Sequence, residues 1–422
     1  MRWSRRQQAV IATATIVAVI LVVVAVTRLA GSSGRQRPAR ASASSTTSTP
    51  TPTAAPTTST PTVTAPPSST TTATSAAPEP ALPAPATQEL GANVNLIFYT
   101  PHLAPGVMTT QLHALRATRA TVARADALWE ASEPSAPVAG VHHYDWSYDD
   151  QIASLLAAAG LRWLPVLDYT AWWAQSIPGQ DHSPPRSASD YAAYAGAFAA
   201  RYGPRGAFWA THPELTAHPV STIEIWNEPD NGQFWTPTPN AAAYADLYAA
   251  ARLAIDAADP AARVIVGGLT RPTEFLPAML AARPGLAGHI DGVAVHPYGS
   301  PPVVAAKVAA DRATLIGAGL GAVPLYATEF GWTTSPPGAL DYVAAPTRPG
   351  YIRRTLDQLR GRWCGVAAAV LYTWYSPEQN AADSQQWYGI DGPTGAPTAD
   401  SAAFTAGLRG AGAAHAGRRP CA

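Results

Sequence analysis

The 422 residues are 47% hydrophobic and 13% charged, with zero formal net charge. That balance hides an asymmetry, because seven arginines lie before residue 41 and the only acid before Glu89 is Glu79, which leaves the rest of the chain net acidic. A mildly acidic body offers no electrostatic footprint for a polyanion, so a nucleic-acid partner is excluded.

Residues 9–26 form an uncharged apolar run behind Arg2, Arg5 and Arg6. A membrane span needs roughly 17–25 such residues, and this one is just long enough. A cleavable signal peptide has a shorter core of about 7–15 residues and a small-x-small cleavage site. Arg28 interrupts the best candidate, Leu29-Ala30. Residues 1–30 therefore read as an uncleaved signal-anchor. The expectation is a single-pass membrane protein with the rest of the chain outside the cytoplasm, and secretion after cleavage is the alternative. Residues 31–88 follow as a linker, and from residue 41 they are almost wholly Ser, Thr, Pro and Ala. Such a segment cannot bury enough apolar surface to offset ordering entropy and is expected to be disordered. Its composition suits an O-glycosylated stalk or a plain spacer.

From Glu89 the pattern changes, and residues 89–422 read as one folded domain. Eight strand-like runs are predicted at 91–98, 120–125, 162–167, 221–226, 263–267, 292–295, 324–327 and 366–373. Between and after them lie amphipathic, Ala-rich segments near 109–117, 148–159, 187–202, 241–258, 274–282, 303–317, 348–361 and 399–409. Asn240 is placed to cap the helix that starts at Ala241, and Gly160 stands just past Ala159. Eight strand–helix units imply an α/β fold of the (β/α)8 TIM-barrel type. A doubly wound sheet is the alternative, but no Gly-x-Gly-x-x-Gly follows the first strand. Cys364 and Cys421 are the only cysteines. That number excludes a disulfide-dense scaffold or a zinc ribbon; in an exported domain the two read as one bridge, with two unpaired thiols as the alternative.

Polar groups gather where the strands end, which in a parallel barrel is the catalytic rim. The run Ile223-Glu224-Ile225-Trp226-Asn227-Glu228 is stopped by Pro229, which cannot donate to a sheet ladder. A carboxylate is thus held where the backbone leaves the sheet. The seventh strand repeats the design with Glu329. Arg124 closes the second strand and Asp168-Tyr169 the third. His296-Pro297-Tyr298 follow the sixth strand and Trp374-Tyr375 the eighth. Glu224 has the same strand parity as Glu228 but lies deeper, which suits a polar group of the barrel interior. Taken alone, Arg124 reads equally as a site residue or a structural ion pair, and His296 as a core histidine.

With these motifs in place, the chain resembles a clan A glycoside hydrolase over roughly residues 90–408, nearest to glycoside hydrolase family 39 and its cellulase-like relatives. The likeness rests on Trp-Asn-Glu-Pro at 226–229, His-Pro-Tyr at 296–298, Thr-Glu-Phe-Gly-Trp at 328–332 and Tyr-Thr-Trp at 372–374. Trp387-Tyr388-Gly389-Ile390, Gly392 and Ala402-Ala403-Phe404 resemble the family's closing segment. The resemblance implies a retaining hydrolase of O-glycosidic bonds, with Glu228 as acid/base and Glu329 as nucleophile. It implies that Asn227 bonds the sugar 2-hydroxyl, that Tyr298 and Arg124 hold Glu329, that His296 lines the subsite and that Trp374 floors it. Asp168-Tyr169 stand where the family often has a histidine, so Asp168 is expected on that side of the sugar. A carbohydrate substrate and no cofactor or metal follow from the resemblance.

Trp172, Trp173, Phe234, Trp235, Trp332 and Trp387 fall in loops after strands, as either sugar-stacking faces or loop anchors. Trp129, Trp163, Trp209 and Trp363 read as packing residues. His142, His143 and Asp145 match no metal-ligand spacing and read as loop polarity. A catalytically silent barrel that binds glycan is the competing function.

Overall fold

Eight strands, each buried and rich in small or β-branched residues, pair side by side in parallel and close on themselves. They are β1 (Glu89–Asn93), β2 (Val122–Leu128), β3 (Arg162–Asp168), β4 (Thr222–Asn227), β5 (Arg263–Leu269), β6 (Gly292–Val295), β7 (Leu325–Ala327) and β8 (Val366–Leu371). Closure is explicit in the register, since Gly91 of β1 pairs with both Val122 of β2 and Val370 of β8. The computed structural model describes residues 87–392, 394–410 and 421. The anchor expected at residues 9–26 and nearly all of the linker expected at 31–88 lie outside the described residues. Among the described residues no helix is long and apolar enough to cross a membrane.

Eight main helices cover the strands: α1 (Pro105–Ala117), α2 (Ser147–Ala159), α3 (Ala188–Tyr202), α4 (Ala241–Ala258), α5 (Pro272–Ala282), α6 (Pro301–Gly317), α7 (Arg348–Leu359) and α8 (Ala399–Arg409). Their ends follow local chemistry. Asn240 accepts a hydrogen bond from the Ala243 amide at the start of α4. Gly160 ends α2 at φ 74°, a left-handed conformation that favours glycine. Both α3 and α4 are alanine-rich, and their inward tyrosines do more than pack. Tyr191, Tyr194, Tyr244 and Tyr248 donate to the carbonyls of Leu167, Ala127, Ile225 and Val264 at 2.5–2.8 Å. Buried carbonyls left without partners are costly, so these hydroxyls fix the helices against β2 to β5.

Inside the barrel, Val122, Leu164 and Val370 form one apolar layer, and Ile265, Ala294, Tyr326, Ala367 and Ala368 form another small cluster. Arg124 shares the parity of Val122 and so points to the same interior.

Several boundaries differ from the sequence-based expectation. The first strand stops at Asn93, and Asn95–Tyr99 turns into a short helix that buries Ile97 and Phe98. Asn93 Oδ1 accepts the Asn95 amide at 3.0 Å and starts that turn. The second strand runs on to Leu128, so Arg124 lies within it and Asp126 shares its face. The eighth strand ends at Leu371 rather than at residue 373.

Cys364 and Cys421 are disulfide-bonded across 57 residues, with Cα atoms 5.1 Å apart. Closing a loop of this length restricts the unfolded chain by about 4 kcal/mol in the chain-entropy model. Cys421→Ser, or reductant on the wild type, is expected to lower the thermal midpoint by several degrees. Equal midpoints with and without reductant would show that the bond adds no stability.

Candidate active site

The end of β4 is where the backbone departs most from a regular strand. Trp226 has φ 66° and Glu228 φ 46°, both in the left-handed region. Non-glycine residues held there cost on the order of 1–3 kcal/mol and persist only when their surroundings enforce them. Here the Trp226 ring is fully buried, donates through Nε1 to Phe234 O at 2.8 Å and packs edge-on against Tyr169 and Trp235. Asp230 accepts the amides of Thr270 and Arg271, which ties the loop after β4 to the loop after β5. Glu228 is thereby set into the mouth by a fixed turn.

Arg124 is 1% exposed and forms the centre of the site. Its Nε and Nη2 meet Glu224 Oε2 and Oε1 at 2.9 and 3.0 Å in a two-pronged ion pair. Nη2 also donates to Asn227 Oδ1 at 2.9 Å, and Nη1 to Glu329 Oε1 at 2.5 Å. Glu224 is fully buried and also accepts the Gly268 amide at 2.8 Å. It therefore anchors the guanidinium from below. Position 268 must be glycine, because a Cβ there would lie 2.0 Å from His296 Nε2.

Glu329, at the end of β7, has its second oxygen bonded by Tyr298 Oη at 2.7 Å. Glu228 is held by Asn231 Nδ2 at 2.7 Å and by His296 Nδ1 at 2.7 Å. His296 Nδ1 is also 3.6 Å from Glu329 Oε2, so the imidazole stands between the two acids. Its Nε2 lies 3.2 Å from Thr328 Oγ1. Burial disfavours the imidazolium, but the Glu329 charge and the bond to Glu228 outweigh it and raise the His296 pKa. A carboxylate oxygen of each glutamate and one His296 nitrogen all lie within 4.8 Å of one another.

The remaining expected residues are set further back. Asn227 lies between Arg124 and Tyr169, donating to the Tyr169 hydroxyl at 3.3 Å. Asp168 is fully buried, and neither carboxyl oxygen has a hydrogen-bond partner. Burial first, then the Asp126 charge, push its pKa well above the ordinary aspartate range, with Arg124 opposing. Burial thus biases Asp168, set behind the wall of the site, towards its protonated form. Trp332 is 3% exposed, gives its indole N–H to Gly299 O at 2.8 Å and meets Tyr351 of α7 edge-on. It anchors its loop and presents no open face. Trp374 is 1% exposed and packs on Phe404 of α8. His142 is bonded to the buried Glu133 at 2.8 Å, which makes it part of the loop scaffold.

Residue-by-residue reading missed three contributors. Asp126 accepts the Tyr99 hydroxyl at 2.9 Å and lies near Arg124 and Glu329. Its signal was strand parity, two residues beyond Arg124 on the same face. Asn231 follows Glu228 by three residues in the same turn. Thr328 was quoted only as part of a motif, and nothing in the sequence marked its contact with His296.

Glu228, His296 and Glu329 have the donor types and spacing to hold a cation. Their surroundings argue otherwise. Arg124, Tyr298 and Asn231 already donate to the carboxylates, and a divalent ion would sit beside a guanidinium.

Neither a protein-family model nor a curated protein matches the chain. Solved structures do match, and the likeness is one of fold: the chain shares its closed eight-stranded parallel barrel with glycoside hydrolases, family 39 enzymes among them. A β-xylosidase from Caulobacter crescentus aligns with 76% of this chain and 67% of its own at TM-score 0.59 and 20% identity. The family 39 enzyme of Xanthomonas axonopodis pv. citri aligns with 76% of this chain and 65% of its own, at TM-score 0.59 and 20% identity. A fungal β-1,4-galactanase is covered over 99% of its length by 76% of this chain, at TM-score 0.52 and 17% identity.

The state of Asp168 has a consequence for stability. In the unfolded chain an aspartate titrates near about 4, whereas the folded group holds its proton to much higher pH. Its contribution to stability is therefore complete below about pH 4 and drains away as pH rises towards the folded pKa. Asp168→Asn keeps the neutral shape, so in urea unfolding the variant should gain stability relative to wild type as pH rises above about 4. A difference that does not change with pH would show that Asp168 is ionised in the folded protein.

Proposed function

We propose that the protein is a retaining glycoside hydrolase that cleaves β-linked O-glycosidic bonds in a polysaccharide or glycoconjugate. One observation carries the reading: Glu228 and Glu329, from opposite parts of the sequence, meet at the barrel mouth with carboxylate oxygens within 4.8 Å. Retaining enzymes place their two carboxyl groups about 5–5.5 Å apart, while inverting ones leave about 6.5–9.5 Å for a water. The two acids also differ in their partners. Glu329 is ion-paired with Arg124 and oriented by Tyr298, as suits an attacking carboxylate. Glu228 shares a hydrogen bond with His296, a group able to hold or return a proton.

In the first step Glu228 gives its proton to the leaving oxygen while Glu329 attacks the anomeric carbon, breaking the glycosidic bond and forming a glycosyl ester. In the second, Glu228 takes a proton from water, which attacks the same carbon and frees Glu329. Asn227, fixed by Arg124 and Tyr169, is placed to bond the sugar 2-hydroxyl. Arg124 acts through Glu329 and Asn227 and is a positioning residue. Asp126, Asp168, Trp332 and Trp374 are buried around the two glutamates and support the site from behind.

The same reading includes a location. The apolar run at residues 9–26 and the Ser/Thr/Pro linker support a barrel tethered outside the cytoplasm. The Cys364–Cys421 bond suits an oxidising compartment.

Glu329→Gln should reduce turnover by at least about 10⁴-fold while the protein stays folded. Proton NMR of the first-formed product should show the anomeric configuration of the substrate. An inverted first product would remove the double displacement, and near-normal Glu329→Gln activity would remove the nucleophile.

The cation-sized cluster favours one second reading, a metal-assisted hydrolase. Overnight dialysis against EDTA should leave activity within error of the untreated enzyme. Loss on dialysis and recovery on adding a divalent ion would favour the metal reading instead.

A further inference from the structure

Of the aromatic residues in the rim loops, one is out of place for a folded protein. Trp172 is 58% exposed, and it is the only exposed tryptophan among the described residues. Trp173, Trp235 and Trp332 are buried, and Phe234 and Trp387 are half-buried. A single exposed apolar side chain is ordinary on a protein surface. What sets Trp172 apart is how it is held.

Its indole N–H donates to Pro134 O at 2.8 Å. The neighbouring Trp173 donates to Glu133 O at 2.9 Å. Two successive indoles thus clamp onto two successive carbonyls of the loop after β2. Trp173 is buried against Trp129 and His142, its carbonyl accepts from Arg186, and Ala171 on the other side is fully buried. The Trp172 backbone is therefore nailed down on both sides. Its one polar atom is consumed internally, so what it offers to solvent is a fixed apolar π face.

Its position follows from the chain. Trp172 is three residues from Tyr169, whose hydroxyl bonds Asn227 beside Glu228. Three residues span at most about 10 Å, so the Trp172 backbone lies within about that distance of Tyr169, in the same rim loop after β3. A protein partner would need a contiguous apolar patch of several hundred Å². Ala171 and Trp173 on either side are buried, and the other exposed apolar residues of the loop that holds the ring, Val138 and Val141, are small and aliphatic; a single fixed ring suits the flat C–H face of one sugar unit.

We propose that Trp172 is a stacking platform for a sugar unit outside the subsites that flank the cleaved bond, so that the substrate is an oligo- or polysaccharide. The inference rests on the glycosidase reading and narrows its substrate class. Preorganisation is the physical gain, because a clamped ring loses no rotamer freedom when the glycan lands.

The test compares kcat/KM for a ladder of β-linked xylo-, galacto- and manno-oligosaccharides with that for the matching aryl monoglycoside. The long-to-short ratio should rise with chain length in the wild type. It should fall by roughly tenfold in Trp172→Ala, the range of one good aromatic stack, and return largely in Trp172→Phe. A ratio that is unchanged in Trp172→Ala overturns the platform while leaving the glycosidase standing. A second arm is independent of turnover: retention of Glu329→Gln on gels containing xylan, galactan or mannan, with and without Trp172→Ala. Loss of retention with the second substitution supports the platform even if no tested glycan is cleaved, an outcome that would count against the glycosidase reading alone. Equal retention, or none by either variant, overturns the platform.

Discussion

The whole site hangs on one buried cation. Arg124 has four hydrogen bonds to three side chains, two from β4 and one from just past β7, which lie two and three strands away round the barrel. Removing such an ion from water is costly and is offset only when its donors are matched in good geometry. Glu224 supplies that match from below with both oxygens, which leaves the outer nitrogens to aim Asn227 and Glu329 upward. Desolvation opposes the Arg124 charge, but Glu224 and Glu329 outweigh it and raise its pKa well above the ordinary arginine value. Without the guanidinium the interior would hold several carboxyl groups facing one another. The raised pKa of Asp168 is the other half of the same balance, because burial and the Asp126 charge outweigh the one cation nearby.

A second layer of constraint surrounds the first. The left-handed residues Trp226 and Glu228 stay in place because Trp226 is locked among aromatic rings and Tyr244 pins the Ile225 carbonyl below them. Glu228 therefore reaches His296 through a backbone that has little freedom to relax. The asymmetry between the two glutamates is built the same way: one faces a guanidinium and a phenol, the other an imidazole and an amide.

Much of this was legible in the sequence. Strands buried on both faces read as continuous apolar runs, and Pro229 marks the point where β4 must end. Glu228 and Glu329 could be placed because both stand at such ends. Asn95–Tyr99 could not be assigned, since a five-residue apolar run suits a strand or a helix equally. The partnership of Arg124 with Glu224 spans 100 residues and leaves no local trace. Nor does a sequence say which loop aromatics face inward: Trp172 and Trp173 are adjacent, and only the carbonyls at Glu133 and Pro134 decide where each ring goes.

The Gln88 side chain donates to the carbonyls of Leu359 and Val366 and accepts the Gly361 amide, just before β1 begins. The disulfide joins Cys364, in the same segment, to Cys421. Both chain crossings of the barrel are thus fastened at its closed base, at the opposite ends of the strands from the glutamates. For anyone attaching the barrel to a bead, a surface or a fusion partner, either terminus of the folded domain is a handle that keeps the substrate entrance unobstructed.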